Sequence, residues 1–420
     1  MMRGSRPDEG DADRRASPSG PPLRIGFLHP VLGIGGAERL VIDAAVELRA
    51  RGHDVSILTA EWSPARAFPE TRDGRVDVRV RGGFLPPAIA GRLQAPCAIA
   101  RLWWLAAAAA ADPVPYDVLI SDIAPYALPW LRALLAVQGR AGPSRRTTKL
   151  VYYCHYPDQL LVPPRSGWYR AYRWPLDAVE GPAMRAADRV LVNSAFTARA
   201  VAGLGVTDTE VIYPGVSVET YAAVPDLAGD EDIWLVVSRF DPRKNQRLAV
   251  DAFARLRQVA PDLFARTSLV LAGGLDESRR EDRETAQAIR RAIAEQALDD
   301  KVALFVSPGD GQRMELLRRC LAVVHPTPDE HFGIVPIEAM AAGRPLVAVA
   351  NAGPLETVVD GETGYLCAPK ADAFADAMAR VGRDAGLRAR LGRAGRARAA
   401  RFSRHAFGDA LDGVLRRLTD

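Results

Sequence analysis

The strongest constraint on this chain is a series of short, apolar, β-branched segments that alternate with longer stretches of helical character. Segments this apolar are typical of strands buried on both faces of a parallel sheet, because a strand with one solvated face alternates apolar and polar residues. Thirteen such segments occur in two groups: LRIGFLHP, DVSILTA, VDVRVRG, YDVLISD, KLVYYCH, RVLVNS and EVIYPG over residues 23–215, and IWLVVSRF, SLVLAGG, KVALFV, LAVVHPT, PLVAV and GYLCAP over residues 233–369. The repeated alternation predicts an α/β fold with two parallel-sheet domains.

The domain boundaries follow from the polar segments between these groups. The stretch VPDLAGDED at 224–232 is the predicted linker, so the domains should span residues 23–224 and 225–400. Residues 1–22 lack an apolar core and are expected to form a disordered tail and not a signal peptide. Residues 401–420 are predicted to form a terminal helix, which we expect to pack back on the N-terminal domain.

Composition excludes several classes of protein. The chain has 420 residues and a net charge of +4, with 48% hydrophobic residues, as expected of a globular protein. Its longest apolar run, LWWLAAAAAA, is too short to span a bilayer as a helix, which needs about 20 residues. Four scattered cysteines (Cys97, Cys154, Cys320 and Cys367) predict reduced thiols in the cytoplasm. Nine arginines in residues 380–404 are accompanied by a single aromatic residue, Phe402, so no nucleic-acid partner is expected.

The polar and glycine-rich loops follow strands, where ligands bind in parallel sheets. The loop GIGGAE resembles a dinucleotide fingerprint but carries Glu38 at the third glycine position, which disfavours a nicotinamide-dependent oxidoreductase. Its glycines still permit close approach of a ligand, although a simple tight turn is an alternative. The loop SRFDPRKN places Arg239 and Lys244 across a turn, where both cations can converge on a diphosphate; a solvated basic turn is the alternative.

Two glutamates eight positions apart, Glu330 and Glu338, flank a glycine at the start of an apolar helix. Each can be a simple helix-capping or dipole-stabilising residue. In a ligand site, the backbone N–H groups of Gly333, Ile334 and Val335 would face a phosphate. Glu338 would then accept hydrogen bonds from vicinal hydroxyls such as those of a ribose, and Glu330 would reach a sugar. Together with the Arg/Lys pair, this predicts a nucleotide-sugar pocket.

His155 in YYCHYPD lies at the end of a predicted strand and faces the presumed cleft between the domains; a packed or capping histidine is the alternative. The sequence DED at 230–232 matches an acidic metal motif of another glycosyltransferase fold. It precedes a strand where such a motif should follow one, so we expect no metal there.

The chain resembles the family 4 retaining glycosyltransferases, which have a GT-B fold of two Rossmann-like domains with parallel sheets facing across a cleft. The resemblance covers nearly all of the chain after residue 22, and Glu330 and Glu338 match the E-x7-E motif of the family. Within the family it is most similar to the α-1,3/1,6-mannosyltransferases of dolichol-linked oligosaccharide assembly. The segments LGIGGAERLVIDAA, YYCHYPDQLL, VNSAFTA, SRFDPRKN, EHFGIVPIEAM and GPLETV carry that similarity.

The resemblance implies a role for the loops of both domains in holding the donor diphosphate. Arg239 and Lys244 would bind it directly, and Gly35 and Gly36 would lie beside its phosphates. The N-terminal domain would face the acceptor and the C-terminal domain would bind the nucleotide sugar.

The resemblance also implies that Glu338 binds the ribose, that Glu330 contacts the transferred sugar and that His155 lies near the reacting centre. It implies a metal-independent hexosyltransferase without a cofactor, which uses GDP-mannose as co-substrate and a lipid-linked or other glycan as acceptor. A bacterial hexosyltransferase with a UDP-sugar donor is an alternative. A glycoside hydrolase that uses the two glutamates as acid and nucleophile, and a non-catalytic nucleotide-sugar-binding protein, are alternatives of other classes.

An aromatic and basic segment, PPRSGWYRAYRWP at 163–175, predicts an acceptor or membrane surface. Aromatic rings among arginines suit the headgroup region of an anionic membrane. We therefore expect the protein in the cytoplasm and in peripheral contact with the cytoplasmic face of a membrane; the alternative is that these aromatic residues fill the core of their own domain. The predicted surface comprises Trp168, Tyr169, Arg170, Arg173 and Trp174.

Overall fold

The computed structural model describes residues 20–88, 94–141, 147–161, 167–227 and 232–420. The chain forms two compact units. Unit 1 comprises Met1–Tyr153, Pro164–Val190 and Leu411–Asp420, and unit 2 comprises Cys154–Pro163 and Leu191–Ala410. Most of the predicted tail and part of the predicted linker lie outside the described residues.

Thirteen strands occur in the described chain, one for each predicted segment. They are β1 (Arg24–Leu28), β2 (Asp54–Thr59), β3 (Asp77–Val80), β4 (Val118–Ser121), β5 (Lys149–Cys154), β6 (Arg189–Val192), β7 (Thr209–Val211), β8 (Ile233–Val237), β9 (Ser268–Gly273), β10 (Val302–Val306), β11 (Cys320–His325), β12 (Leu346–Val349) and β13 (Gly364–Cys367).

Seventeen α-helices alternate with these strands in the described residues. They are α1 (Gly36–Ala50), α2 (Pro69–Arg72), α3 (Gln94–Ala110), α4 (Leu128–Ala141), α5 (Asp158–Leu161), α6 (Gly167–Met184), α7 (Ala195–Ala202), α8 (Val218–Ala222), α9 (Gln246–Val259), α10 (Pro261–Arg266), α11 (Arg280–Glu295), α12 (Asp310–Arg319), α13 (Ile334–Ala341), α14 (Pro354–Thr357), α15 (Ala371–Arg383), α16 (Ala385–Ala399) and α17 (Arg404–Thr419).

The strands form two sheets. The first has the order β3-β2-β1-β4-β5-β6-β7 and the second has the order β10-β9-β8-β11-β12-β13. Pairing is parallel from β3 to β5 and throughout the second sheet. The predicted α/β architecture with two parallel sheets is therefore confirmed.

Strand β8 shows why these segments are apolar at consecutive positions. Trp234 and Val236 enter one core cluster, which covers one face of the second sheet. Ile233 and Leu235 enter a second cluster on the other face. Because helices cover both faces, the first four residues of β8 are removed from water, which leaves no position among them for a polar side chain.

The units differ from the predicted domains at their boundaries. The prediction placed residues 23–224 together, whereas Cys154–Pro163 and Leu191–Val224 belong to unit 2. The C-terminal residues Leu411–Asp420, within and just after α17, belong to unit 1. There, Asp412 Oδ1 lies 2.8 Å from Nε2 of the buried His53, which joins the middle of α17 to the residue before β2.

Two further expectations concern the whole described chain. No helix of the described residues combines the length and the apolar character that a membrane span requires. The four cysteines are buried free thiols.

Candidate functional site

The loop after β8 is ordered by Asp241. Its carboxylate accepts a hydrogen bond from the backbone N–H of Arg243 at 2.9 Å and begins the short turn Pro242–Lys244. Hydrogen bonds from Arg243 lower the pKa of Asp241 to about 2, despite its burial. Asn245 then adopts a left-handed conformation with φ 49° before α9 starts. The turn is thus fixed by an ionised carboxylate and presents Lys244 at its end.

Gly273 packs directly against this loop. A Cβ atom at Gly273 would lie 1.8 Å from the carbonyl oxygen of Ser238, so only glycine fits at this approach. The backbone N–H of Phe240 also donates to the carbonyl of Gly274 at 2.9 Å. The AGG and SRF segments, separate in the sequence, therefore form one surface beyond the ends of β8 and β9.

Lys244 forms an ion pair with Glu330. Lys244 Nζ lies 2.6 Å from Glu330 Oε2, and both side chains are partly exposed. Burial by itself would raise the pKa of Glu330, but the charge of Lys244 and the hydrogen bond that Lys244 donates hold it below its usual value. Burial lowers the pKa of His325 to about 4. Glu330 is therefore an ionised carboxylate between an ammonium group and a neutral imidazole at pH 7.

The side chains of Arg239 and Lys244 pair with different carboxylates. Its guanidinium pairs with Asp241 at 3.4 Å and its side chain is 54% exposed. Its Cγ lies 3.9 Å from the position of a Cβ at Gly274. The two cations share one loop beyond β8, but the predicted convergence of both on one diphosphate stays a prediction.

The turn before α13 is tightly held. Gly333 has a φ of +94°, a conformation that favours glycine, and it precedes Ile334 at the start of the helix. The backbone N–H of Gly353 donates to the carbonyl of Glu330 at 2.7 Å. A Cβ at Gly353 would lie 2.3 Å from the carbonyl oxygen of Phe332. The segment around Gly353 therefore fixes the loop that carries Glu330.

Glu338 lies on α13, one turn after Val335, and is mostly buried. Arg313 on α12 donates from Nη2 to Glu338 Oε2 at 3.1 Å. Burial raises the pKa of Glu338, although Arg313 and a hydrogen bond with Tyr221 oppose the rise. The sequence analysis missed Arg313 and Tyr221, because neither carries a local motif.

His155 follows β5, as predicted, but it lies in unit 2, whereas the prediction placed it in the N-terminal domain. Its backbone carbonyl accepts a hydrogen bond from Asn193 Nδ2 at 2.8 Å. The next residue, Tyr156, stacks on His331 with ring centroids 3.7 Å apart and an angle of 4° between the ring planes. Ser194 Oγ donates to the carbonyl of His331 at 2.6 Å. These contacts place His155 and Glu330 in adjoining loops of the same unit, which sequence reasoning did not foresee.

Glu356 joins these loops from the other side. Its two carboxylate oxygens accept hydrogen bonds from the backbone N–H groups of Ala195 and Phe196 at 2.8 Å each, at the start of α7. The hydroxyl of Tyr213 donates to the same carboxylate at 3.2 Å. The motif segments VNSAFTA and GPLETV are therefore in direct contact.

Gly35 and Gly36 lie in unit 1, where Gly35 is the residue before α1 and Gly36 is its first residue. A Cβ at Gly35 would meet only the flexible carboxylate of Glu38, and a Cβ at Gly36 would meet open space. Their approach to a phosphate stays a prediction.

A buried ion pair in unit 1 was not predicted. His29 follows β1 and Asp122 follows β4, and these strands are neighbours, so their carboxyl ends meet. His29 Nδ1 lies 2.9 Å from Asp122 Oδ1, and both side chains are at most 2% exposed. Burial would lower the pKa of His29, but the charge and hydrogen bond of Asp122, with a contribution from Glu38, raise it.

The predicted membrane surface is only partly exposed. Trp174 is 71% exposed and Arg170 is exposed, whereas Tyr169 is half-buried. The prediction is wrong for Arg173, which is only 6% exposed. Its guanidinium turns inward and donates from Nη2 to Oδ1 of Asp177, one helical turn later, at 2.8 Å. The side chain of Trp168 lies outside the described residues.

A metal site was not expected. Within the described ranges, no group of three or more His, Cys, Asp or Glu side chains is placed to hold a metal ion. Asp232, the described residue of the DED sequence, pairs with Arg319.

Comparison with known proteins identifies the family and supports the fold. The family described as Glycosyltransferase Family 4 matches residues 34–220, and Glycosyl transferases group 1 matches residues 217–398. A sucrose-phosphate synthase from Thermosynechococcus elongatus superposes with a TM-score of 0.72 at 24% identity over 94% of this chain and 98% of that one. The Anabaena protein HepE, solved with UDP and glucose, superposes with a TM-score of 0.69 at 22% identity, over 94% of this chain and 99% of HepE. The fold and the matches define a GT-B glycosyltransferase of family 4.

Sequence relatives narrow the assignment. The human α-1,3/1,6-mannosyltransferase ALG2 is 37% identical over 94% of this chain and 96% of its own length. The protein of the same name from Rhizomucor pusillus is 34% identical over 94% of this chain and 91% of its own length. The chain belongs to the α-1,3/1,6-mannosyltransferase family.

Proposed function

We propose that the protein transfers mannose from GDP-mannose to a lipid-linked glycan with retention of anomeric configuration. One observation carries the proposal. The Lys244–Glu330 ion pair, at 2.6 Å, lies directly before Gly333 and α13, and Glu338 lies one turn into the same helix. A cation and a helix N-terminus both favour a diphosphate, and two carboxylates favour sugar hydroxyls. The names of the mannosyltransferase relatives support mannose as the sugar.

The donor diphosphate would draw Lys244 away from Glu330. Its charge would be neutralised by Lys244 and Arg239 and by the N–H groups of Gly333, Ile334 and Val335. Glu330, ionised and freed from Lys244, would then accept hydrogen bonds from the sugar. Gly35 and Gly36 would admit the phosphates to the backbone of unit 1.

The ribose would bind at Glu338. Arg313 holds one carboxylate oxygen at 3.1 Å and so fixes the orientation of the group. A carboxylate held by a neighbouring guanidinium is preorganised for vicinal hydroxyls, and less side-chain entropy is lost when the ribose binds.

His155 would act near the reacting centre, with its backbone fixed by Asn193. Retention would follow from attack on the same face from which the diphosphate leaves, and the leaving phosphate would accept the proton of the acceptor hydroxyl. Because cations and helix N–H groups stabilise the leaving diphosphate, transfer should continue with excess chelator. Loss of transfer with chelator and its return with manganese would contradict this metal-independent mechanism.

The acceptor would be met at the cytoplasmic face of a membrane. The exposed Trp174 and Arg170 support this location, since an amphipathic ring and a cation suit the headgroup region. Flotation of the purified protein with anionic vesicles at low salt measures this contact, and Arg170→Glu should weaken it without changing donor affinity.

The function is tested with a panel of nucleotide sugars. Purified protein is incubated with GDP-mannose, UDP-glucose or UDP-mannose and a synthetic pyrophosphate-linked glycan, and the product anomer is determined by NMR. We expect an α-mannoside that forms from GDP-mannose alone. Transfer from a UDP-sugar would identify the other donor class. Glycan cleavage without a nucleotide would indicate a hydrolase, and donor binding without turnover would indicate a binding protein.

A further inference from the structure

Unit 1 contains an apolar pocket that the proposed chemistry does not use. It has a volume of about 410 Å³, within the range of small-ligand sites. Helices α3 and α6 form its walls together with the short turn Pro125–Ala127. The lining residues are Pro96, Ile99, Ala100, Trp103, Tyr126, Pro175, Leu176 and Val179.

The lining selects a hydrocarbon. Among the described residues that line the pocket, none carries a charge, and most are aliphatic or proline. The indole of Trp103 donates its N–H to the backbone carbonyl of Tyr126 at 3.1 Å. Because that polar edge is already satisfied, Trp103 offers a ligand the apolar surface of its ring. A polar ligand would lose its hydration here without equivalent hydrogen bonds.

The surface of unit 1 indicates where that hydrocarbon comes from. Six of the seven tryptophan side chains are described, and four of these are at least 45% exposed; all four lie in unit 1: Trp103 at 50%, Trp104 at 45%, Trp130 at 46% and Trp174 at 71%. Large exposed aromatic side chains mark protein or membrane contact, and indole rings are favoured at the membrane–water boundary. Trp103 belongs both to this exposed set and to the pocket lining.

We propose that this pocket takes the end of the hydrocarbon chain of a polyprenyl-linked acceptor. This inference rests on the proposed function, because it assumes an acceptor that carries such a chain. Exposed tryptophans alone are sufficient to hold a membrane surface. A cavity adds to membrane binding only if a lipid chain leaves the bilayer and enters the cavity. The acceptor is the lipid whose chain the proposed reaction would bring to unit 1. The pocket would thus make the acceptor's affinity depend on its lipid.

The test compares two acceptors that share one pyrophosphate-linked glycan. One carries a long polyprenyl chain and the other a single prenyl unit. Ala100→Trp fills the pocket from an exposed lining position, and Ala178→Trp on α6 adds the same ring at an exposed position outside the pocket. Thermal unfolding of both variants shows whether each is folded.

We expect Ala100→Trp to raise the KM for the long-chain acceptor roughly fifteenfold to sixtyfold, because each buried methylene group is worth about fourfold in affinity and the ring displaces about two or three of them. The KM for the short-chain acceptor, the kcat and the donor affinity should not change. Ala178→Trp should match the wild type with both acceptors.

Several results would overturn the proposal. The first is an unchanged KM of Ala100→Trp for the long-chain acceptor, and the second is an equal rise in KM for both acceptors. The third is weaker flotation of Ala100→Trp with pure phospholipid vesicles, while its KM still depends on the acceptor's chain length as in the wild type. The last result would assign the pocket to a phospholipid acyl chain. If the wild type transfers to neither acceptor, the proposed function fails, and a polyprenyl pyrophosphate with a photoreactive chain end still tests the pocket. Crosslinking to α3 or α6 that Ala100→Trp blocks supports the pocket, and crosslinking elsewhere refutes it.

Discussion

Replacement of Gly273 by alanine should damage the donor loop without affecting its charged residues. The added Cβ would lie 1.8 Å from the carbonyl oxygen of Ser238 and 2.5 Å from its carbonyl carbon. Real Cβ atoms essentially never approach closer than 3.0 Å, so the backbone before Arg239 must move by about 1.2 Å. The obstacle is backbone, which cannot rotate aside as a side chain does.

The magnitude follows from this displacement. Overpacking of a well-packed interior costs about 1–3 kcal/mol of unfolding free energy. A misplacement of roughly 1 Å in a group that positions substrate can cost about 100-fold in rate. We therefore expect Gly273→Ala to fold with a lowered Tm, to bind the nucleotide sugar weakly and to lose about two orders of magnitude in kcat/KM.

The neighbouring glycine supplies the control. A Cβ at Gly274 would meet only Arg239 Cγ at 3.9 Å, an ordinary contact. Gly274→Ala should therefore retain nearly full activity and stability. Donor affinity by calorimetry, kcat/KM and thermal unfolding are measured for both variants. Equal behaviour of the two, or a fully active Gly273→Ala protein, would refute the reasoning from close backbone approach.

Further outcomes are expected from substitutions of four other residues. Glu330→Gln should mainly lower turnover, by about 3 kcal/mol of transition-state stabilisation, and Glu338→Gln should mainly weaken donor binding; equal effects on both quantities would contradict these roles. Because the pKa of His29 is raised above 6.5, its ion pair with Asp122 should stabilise the protein fully below about pH 6.5 and lose this contribution as pH rises through the folded pKa. Denaturant titrations across that range should show the loss, and His29→Gln should abolish it. Arg344 is fully buried and donates to the carbonyls of Leu317 and Pro225 at 2.7 and 2.8 Å, so Arg344→Met should cost about 2–4 kcal/mol in urea unfolding, whereas an unchanged midpoint would show that those carbonyls find other donors.

The sheets could be predicted because a strand that is buried on both faces requires apolar residues at consecutive positions, and this pattern is visible in the sequence. Ile25 in β1 and Trp234 in β8 are both 0% exposed, and each belongs to a run in which both faces are covered. The glutamate pair could also be predicted from the sequence, since Glu330, Gly333 and Glu338 lie in one short stretch with the start of a helix. These features depend on local pattern alone.

The remaining parts of the site depend on which segments meet in space. The stack of Tyr156 on His331 and the contact of Arg313 with Glu338 join distant segments, and no periodicity encodes such pairs. His29 was visible at a strand end, but its partner depends on which strands are neighbours. Arg173 was predicted at the surface because its sequence context is basic and aromatic. An acidic residue one helical turn later was sufficient to turn it inward.

The path of the chain through α17 has a consequence for synthesis. Unit 1 contains both the earliest described residues and Leu411–Asp420, and unit 2 is inserted between its parts. Domains generally fold as they leave the ribosome, with the N-terminal part first. Here the first unit to emerge cannot complete its own set of contacts until the whole of the second unit has been translated. His53 cannot pair with Asp412 until α17 has been synthesised. Unit 1 therefore stays incomplete during most of translation, whereas unit 2 has time to fold before residues 411–420 are made.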